Sequence, residues 1–147
     1  MRQHHERRAL PYSPEQMFDL VADVESYPRF IPWVEALRVL RSDVEDGQGT
    51  LTADMSVGYK MFRESFRSEV TLDRDAKTIG VNYIRGPLKS LTNDWRFEPA
   101  EGGCVVDFTI TFSFRNRLMQ MAANQLMEKG FMRLVGAFEA EARRRYG

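Results

Sequence analysis

Thr50-Leu51-Thr52-Ala53-Asp54-Met55-Ser56-Val57-Gly58-Tyr59 is the stretch that decides how this chain folds. Leu51, Ala53, Met55, Val57 and Tyr59 alternate with Thr50, Thr52, Asp54 and Ser56, a period of two that only a strand with one apolar and one wet face satisfies. The same pattern recurs from Glu35 to Arg41, Phe62 to Leu72, Thr78 to Arg85, Ser90 to Phe97 and Cys104 to Phe114. Between these runs stand turn formers: Asp46-Gly47-Gln48-Gly49, Asp73-Arg74-Asp75, Gly86-Pro87 and Glu101-Gly102-Gly103. Short strands joined by tight turns predict an antiparallel meander.

Upstream, Gln3 to Leu10 reads as a further strand with a charged face. A helix is predicted from Pro14 to about Asp23, because Ser13 and Gln16 form a capping box and Pro14 takes the first helical position. The next segment, through Tyr27-Pro28-Arg29-Phe30-Ile31-Pro32-Trp33, carries two prolines and three aromatic rings. Proline fixes φ and removes a donor, so this is a stiff aromatic cover that must bury against something large. Downstream, Arg117 to Tyr146 reads as one helix, about 45 Å long at 1.5 Å per residue. Met119, Ala123, Leu126, Met127, Gly130, Leu134, Ala137 and Phe138 share its inward face, and Met121 and Met132 fall on the outer one.

These elements predict an α+β fold: a curved seven-stranded antiparallel sheet wrapped on one long C-terminal helix, with short helices after the first strand. A helix is only about 10–12 Å across, so a twisted sheet of that width leaves a wedge beside it for side chains or a ligand. Candidates to line the wedge are Phe30, Trp33, Met55, Val57, Phe62, Phe66, Tyr83, Trp95, Phe108, Met119, Met127 and Phe131. Ile110 and Phe112 face the same way. Polar residues on apolar faces, Glu64, Arg85 and Asn93, are candidates for recognising a polar head group, with Glu64 and Arg85 alternatively pairing with each other. Trp33 and Trp95 each add an indole N–H.

Composition narrows the function. At 147 residues the chain is expected to form one domain over 1–147, with 43% hydrophobic and 29% charged residues as in ordinary globular proteins. Lys plus Arg balance Asp plus Glu at 21 each, so net charge does not advertise nucleic acid. Cys104 is the single cysteine, and no apolar run has the length of a membrane span, which together suggest a reducing, cytoplasmic setting. His4 and His5 point to opposite faces of a strand and cannot share a metal by themselves. Gly47-Gln48-Gly49 lacks the rest of a phosphate-binding fingerprint, and no serine occupies a nucleophile elbow.

Four segments carry a resemblance along nearly the whole chain: Tyr12 to Pro28, Phe30-Ile31-Pro32-Trp33, Gly86 to Phe97, and Phe112-Ser113-Phe114 before the last helix. They resemble the START-like, helix-grip superfamily, and within it the coenzyme Q-binding and polyketide cyclase/dehydrase branch that also contains the ribosome association toxin. The resemblance implies a hydrophobic tunnel between sheet and helix that binds ubiquinone or a similar polyprenyl quinone and supports its delivery in respiration, without catalysis and with no required cofactor or metal. A transient contact with a membrane or respiratory complex, peripheral to the inner face of the membrane, follows from that expectation. The alternatives are a ribosome-binding module acting through its outer surface and, third, a cyclase or dehydrase whose acid–base groups would come from Glu64, Tyr83 and Arg85.

Overall fold

Seven strands lie side by side in the order β1-β7-β6-β5-β4-β3-β2, every neighbouring pair antiparallel. They are β1 (Arg2–Leu10), β2 (Val34–Ser42), β3 (Gln48–Tyr59), β4 (Phe62–Asp73), β5 (Thr78–Arg85), β6 (Leu88–Ala100) and β7 (Gly103–Phe114). Helices α1 (Pro14–Ala22) and α2 (Tyr27–Phe30), with a 3₁₀ turn at Val24–Ser26 between them, join β1 to β2, and α3 (Arg117–Tyr146) closes the chain. The structure is a computed structural model that describes residues 2–59 and 62–147, without the side chains of Tyr59, Phe62, Leu126, Met127 and Glu128.

The meander forms where the alternation and the turns predict it, with most strands a residue or two longer at their ends. Gly47 adopts φ +76° in the β2–β3 turn, the left-handed region that glycine enters without steric cost. The capping box at α1 is complete: Gln16 N donates to Ser13 Oγ at 3.0 Å and Ser13 N donates to Gln16 Oε1 at 2.9 Å. Helix α3 starts on Asn116, whose Oδ1 accepts from the amides of Leu118 (2.8 Å) and Met119 (3.3 Å). The proline-bounded segment is not a plain loop. Pro28 sits in the first turn of α2, where its missing N–H costs nothing.

Burial along the inner face of the sheet is graded, and this gradient positions the site. Toward the β2–β3, β4–β5 and β6–β7 turns, Leu51, Ala53, Val70, Leu72, Ile79, Phe97, Cys104 and Val106 are buried against Met17, Phe18, Leu20 and Val21 of α1. Toward the opposite end, Met55, Val57, Phe66, Val81, Tyr83, Leu91 and Ile110 are only half-buried. Helix α1 and the C-terminal half of α3 plug one end of the curved sheet and leave the other open.

The plug is held by a charged cluster. Glu141, 7% exposed, accepts from Arg144 at 2.9 and 2.6 Å and from Arg145 at 2.8 Å. Arg145 reaches on to Asp23 (3.1 Å) and Ser26 (3.0 Å), tying the end of α3 to the α1–α2 junction. Hydrogen bonds from Arg144, then Arg145, hold the Glu141 carboxyl down at about 2 against the burial that would raise it.

Candidate functional site: a cavity between sheet and helix

Between the half-buried part of the sheet and α3 lies a cavity of about 330 Å³. Strands β3 to β7 supply one wall, with Ala53, Met55, Val57, Phe66, Val70, Ile79, Val81, Tyr83, Leu91, Asn93, Trp95, Phe108 and Ile110. Leu134 and Phe138, one turn apart on α3, form the facing wall. Val21, Val24, Tyr27, Ile31, Trp33 and Val34 close the plugged end. The aromatic segment therefore acts as the cover its composition suggests, with Tyr27 donating to the carbonyl of Val21 to fix its place. Burial pushes the Tyr27 hydroxyl well above its ordinary pKa, with the Asp23 carboxylate adding to the effect.

Polar atoms on this wall are few. Asn93 Nδ2 donates to the Thr109 carbonyl at 3.0 Å, and its Oδ1 accepts from the Trp95 indole at 2.8 Å. An amide side chain has two N–H groups and two lone pairs, so Asn93 keeps one of each for a guest. The Trp95 N–H is used inside the wall, so the expectation that it serves a head group gives way to a positioning bond. That bond holds the indole flat along Phe97 (centroids 6.1 Å, planes 15° apart) and edge-on to Phe108 and Phe138 at 4.6 and 5.4 Å. The Tyr83 hydroxyl accepts from the Leu88 amide at 3.0 Å and braces the β5–β6 turn. Ser68 is the remaining hydroxyl on the wall.

Of the residues singled out in the sequence, Trp33, Met55, Val57, Phe66, Tyr83, Trp95, Phe108 and Asn93 meet on this cavity. Phe30 does not line it and instead packs edge-on to Tyr27 (5.9 Å) and Phe138 (5.3 Å), behind the cover. Phe131 stacks on the ring of His4 at 4.5 Å, with planes 10° apart, and seals the seam between β1 and α3. Met119 is half-buried and away from the wall, and Phe112 is buried against Phe114. The side chains of Phe62 and Met127 lie outside what the structure describes. Glu64 is half-buried and Arg85 exposed, both off the wall, and no ion pair joins them among the described residues. A bulge in β5 explains Arg85, which stands opposite Arg67 on the outer face near Asp54, while Glu64 lies near the start of β4, on the open-end side of Phe66.

Sequence reasoning missed the contributions of Val24, Ser68 and Val81, and it placed Ile31 in the cover and Leu134 on the inward face of α3 without naming either as a cavity residue. The i, i+4 spacing of Leu134 and Phe138 was the available signal for α3. At Ser68 the signal was its place between Phe66 and Val70 on the inward parity of β4. Elsewhere, His5 lies on the outer face with Asp107 at 2.9 Å, and His4 points inward, as adjacent strand residues must. Cys104 is buried, which pushes its thiol to about 11 and keeps it unreactive. No group of three His, Cys, Asp or Glu placed to hold a metal occurs among the described residues.

Comparison with known proteins agrees with this geometry. The family described as polyketide cyclase / dehydrase and lipid transport matches residues 10–139. The ribosome association toxin RatA of Escherichia coli K12 is 33% identical over 138 residues, covering 93% of this chain and 84% of the relative. The mitochondrial coenzyme Q-binding protein COQ10 homolog B of Xenopus laevis is 31% identical over 149 residues, 99% of this chain and 59% of that one. Among solved structures, an 18 kDa protein from Caulobacter crescentus superposes with a TM-score of 0.84 at 36% identity over 100% of this chain and 99% of that one. A START superfamily protein from Mycobacterium smegmatis shares the fold at a TM-score of 0.78 and 15% identity, covering 97% of each chain. The inward-facing cavity, the helix that grips it and the match over residues 10–139 agree: the chain has the START-like, helix-grip fold, and it belongs to the polyketide cyclase/dehydrase and lipid-transport family.

Proposed function

We propose that this chain holds a polyprenyl quinone, ubiquinone or a close analogue, in the sheet–helix cavity and carries it to membrane enzymes of respiration without transforming it. The observation that carries this reading is the wall itself: about 330 Å³ of space bounded by aliphatic and aromatic side chains, with one amide holding unused hydrogen-bond capacity. That volume is at the lower end of ligand pockets, about 300–1,000 Å³. A quinone ring needs flat aromatic neighbours and one or two donors. A prenyl tail gains about 0.8 kcal/mol per buried CH₂ and can leave through the open end of the sheet. The coenzyme Q-binding name of the Xenopus relative supports the same guest.

Carriage rather than catalysis is supported by the titratable groups of the wall. General acid–base chemistry needs a group that exchanges protons near neutral pH beside the substrate. The described wall offers two tyrosines, one locked to a carbonyl and one to an amide, while Glu64 and Arg85 stand off it. No helix among the described residues is long and apolar enough to cross a membrane. We place the protein in the cytoplasm at the inner membrane face, where a carrier would meet its membrane partners.

A fluorescence titration tests this directly, because Trp33 and Trp95 are the chain's two tryptophans and both line the cavity. A short-tailed ubiquinone is expected to quench their emission saturably, with one equivalent bound. Quenching that rises linearly with quinone, as for free tryptophan, counts against the reading. A second reading, ribosome association, is favoured by the RatA relatives together with exposed Arg85, Lys89, Arg115 and Arg117 at the open end. Ribosome co-sedimentation that falls steeply with salt would support it.

A further inference from the structure

The open end of the sheet carries a second feature that the cavity does not use. Leu118, Met121 and Met132 on α3 are 76%, 60% and 69% exposed, and Ile84 at the end of β5 is 52% exposed. At 3.6 residues per turn the three α3 positions fall within about 60° of one another, so they form one stripe along the helix. Arg117 borders this stripe on one side, Lys129 and Arg133 on the other, and Arg115 lies just before the helix begins; all four are exposed. From Arg115 to Arg133 the sequence holds these four cations against a single acid, Glu128.

The surroundings continue the pattern. Leu88 pairs with Phe114 across β6 and β7, which brings the β5–β6 turn, with Arg85 and Lys89, beside the start of α3. At the plugged end the turns instead carry Asp43, Glu45, Asp46, Asp73, Asp75 and Glu101, with Arg74 and Lys77 as their cations, while Arg143 to Arg145 end α3 beside Glu141 and Asp23. The turns of a chain of zero net charge are thus polarised along its strands, cationic where the cavity opens.

We propose that this face docks on an anionic lipid bilayer, with Leu118, Met121 and Met132 inserted among the headgroups and the flanking arginines and lysines on lipid phosphates. The proposal deepens the carrier reading, on which its purpose rests, by naming the surface from which the lipid-like guest is taken. An apolar stripe bordered by cations is the pattern of a helix lying in a membrane interface, where Lys and Arg stems cover apolar surface while their heads stay wet. RNA fits the same cations but not the stripe. Single strands are gripped by stacking on aromatic rings, and the exposed apolar residues of this face are leucine and methionine. Its position at the cavity mouth lets a guest pass from bilayer to tunnel without crossing water.

The test is vesicle flotation of the full chain with phosphatidylcholine alone and with 30% phosphatidylglycerol. Binding is expected only to the anionic vesicles and is expected to weaken at 0.5 M salt. Replacing Leu118, Met121 and Met132 together by glutamine, a good helix former at exposed sites, is expected to lower binding at least tenfold with circular dichroism unchanged. An Arg115→Gln, Arg117→Gln variant is expected to lower it roughly fivefold for each charge removed, since a basic residue at such a surface is worth about 1 kcal/mol. Tryptophan quenching by quinone, measured on the same variants without vesicles, is expected to be unchanged, which separates loss of docking from loss of cavity binding. Equal binding to neutral vesicles, no binding to either, binding to ribosomes that survives the glutamine triple variant, or a dimer that this variant dissolves would each overturn the proposal.

Discussion

Replacing Asn93 by leucine puts the logic of the cavity wall under direct strain. The side chain keeps its branched four-atom skeleton and loses two bonds, one to the Thr109 carbonyl and one from the Trp95 indole. The indole N–H then faces an apolar wall with no partner, at a cost of about 1–3 kcal/mol. For a chain of this size each kcal/mol lowers Tm by roughly 2–4 °C. Trp95→Phe removes the same N–H from the other side, so the cost of Asn93→Leu in that background should shrink. A double-mutant cycle by urea denaturation, with m unchanged, is expected to return a coupling of about 1–2 kcal/mol between positions 93 and 95. Asn93→Leu alone should also weaken quinone binding about tenfold, because the spare N–H of the amide is gone as well. A coupling below about 0.3 kcal/mol would show that the two side chains do not depend on each other, and the account of the wall would be wrong.

Acid should loosen the plug before it loosens the sheet. The Glu141 carboxyl sits at about 2 in the fold against an ordinary 4.5, so its contribution of about 2–3 kcal/mol is present above pH 4.5 and is lost as pH falls toward 2. A Glu141→Gln variant should flatten stability against pH across that window, as read by urea midpoints. Gly86→Ala should destabilise by about 1–3 kcal/mol. The new Cβ would lie 2.8 Å from the Ser65 carbonyl and 2.9 Å from the Tyr83 hydroxyl at φ +152°, and a midpoint equal to wild type would contradict this. Val81→Phe places a ring inside the cavity and should cut quinone affinity at least tenfold with stability equal or higher, since it fills space rather than opening it.

The strands were legible because each has one wet face. Thr50 to Tyr59 could alternate only as a strand, and the turns at Gly47 and Gly86 carry residues suited to their φ values. The capping box made the start of α1 equally plain. The site was legible in its aromatic half: Trp33, Phe66, Tyr83, Trp95 and Phe108 have inward positions and the bulk to reach the wedge. What stayed hidden was how far along each strand the cavity reaches and where a strand bulges. Periodicity assigns a face but neither height nor bulges, so Glu64 looked like a cavity residue although it stands nearer the open end than the wall, Arg85 did although a bulge in β5 turns it to the outer face, and Met119 looked inward although it does not line the wall. Phe131 shows the same limit sideways, facing inward but meeting His4 at the β1 seam.

Native mass spectrometry with solvent extraction, on protein purified from a quinone-producing host, tests the central claim most directly. The account predicts one equivalent of a polyprenyl quinone in the wild type and its loss in the Val81→Phe variant, both proteins being folded. A folded wild type that carries no lipid and takes up none from quinone-loaded vesicles would contradict it.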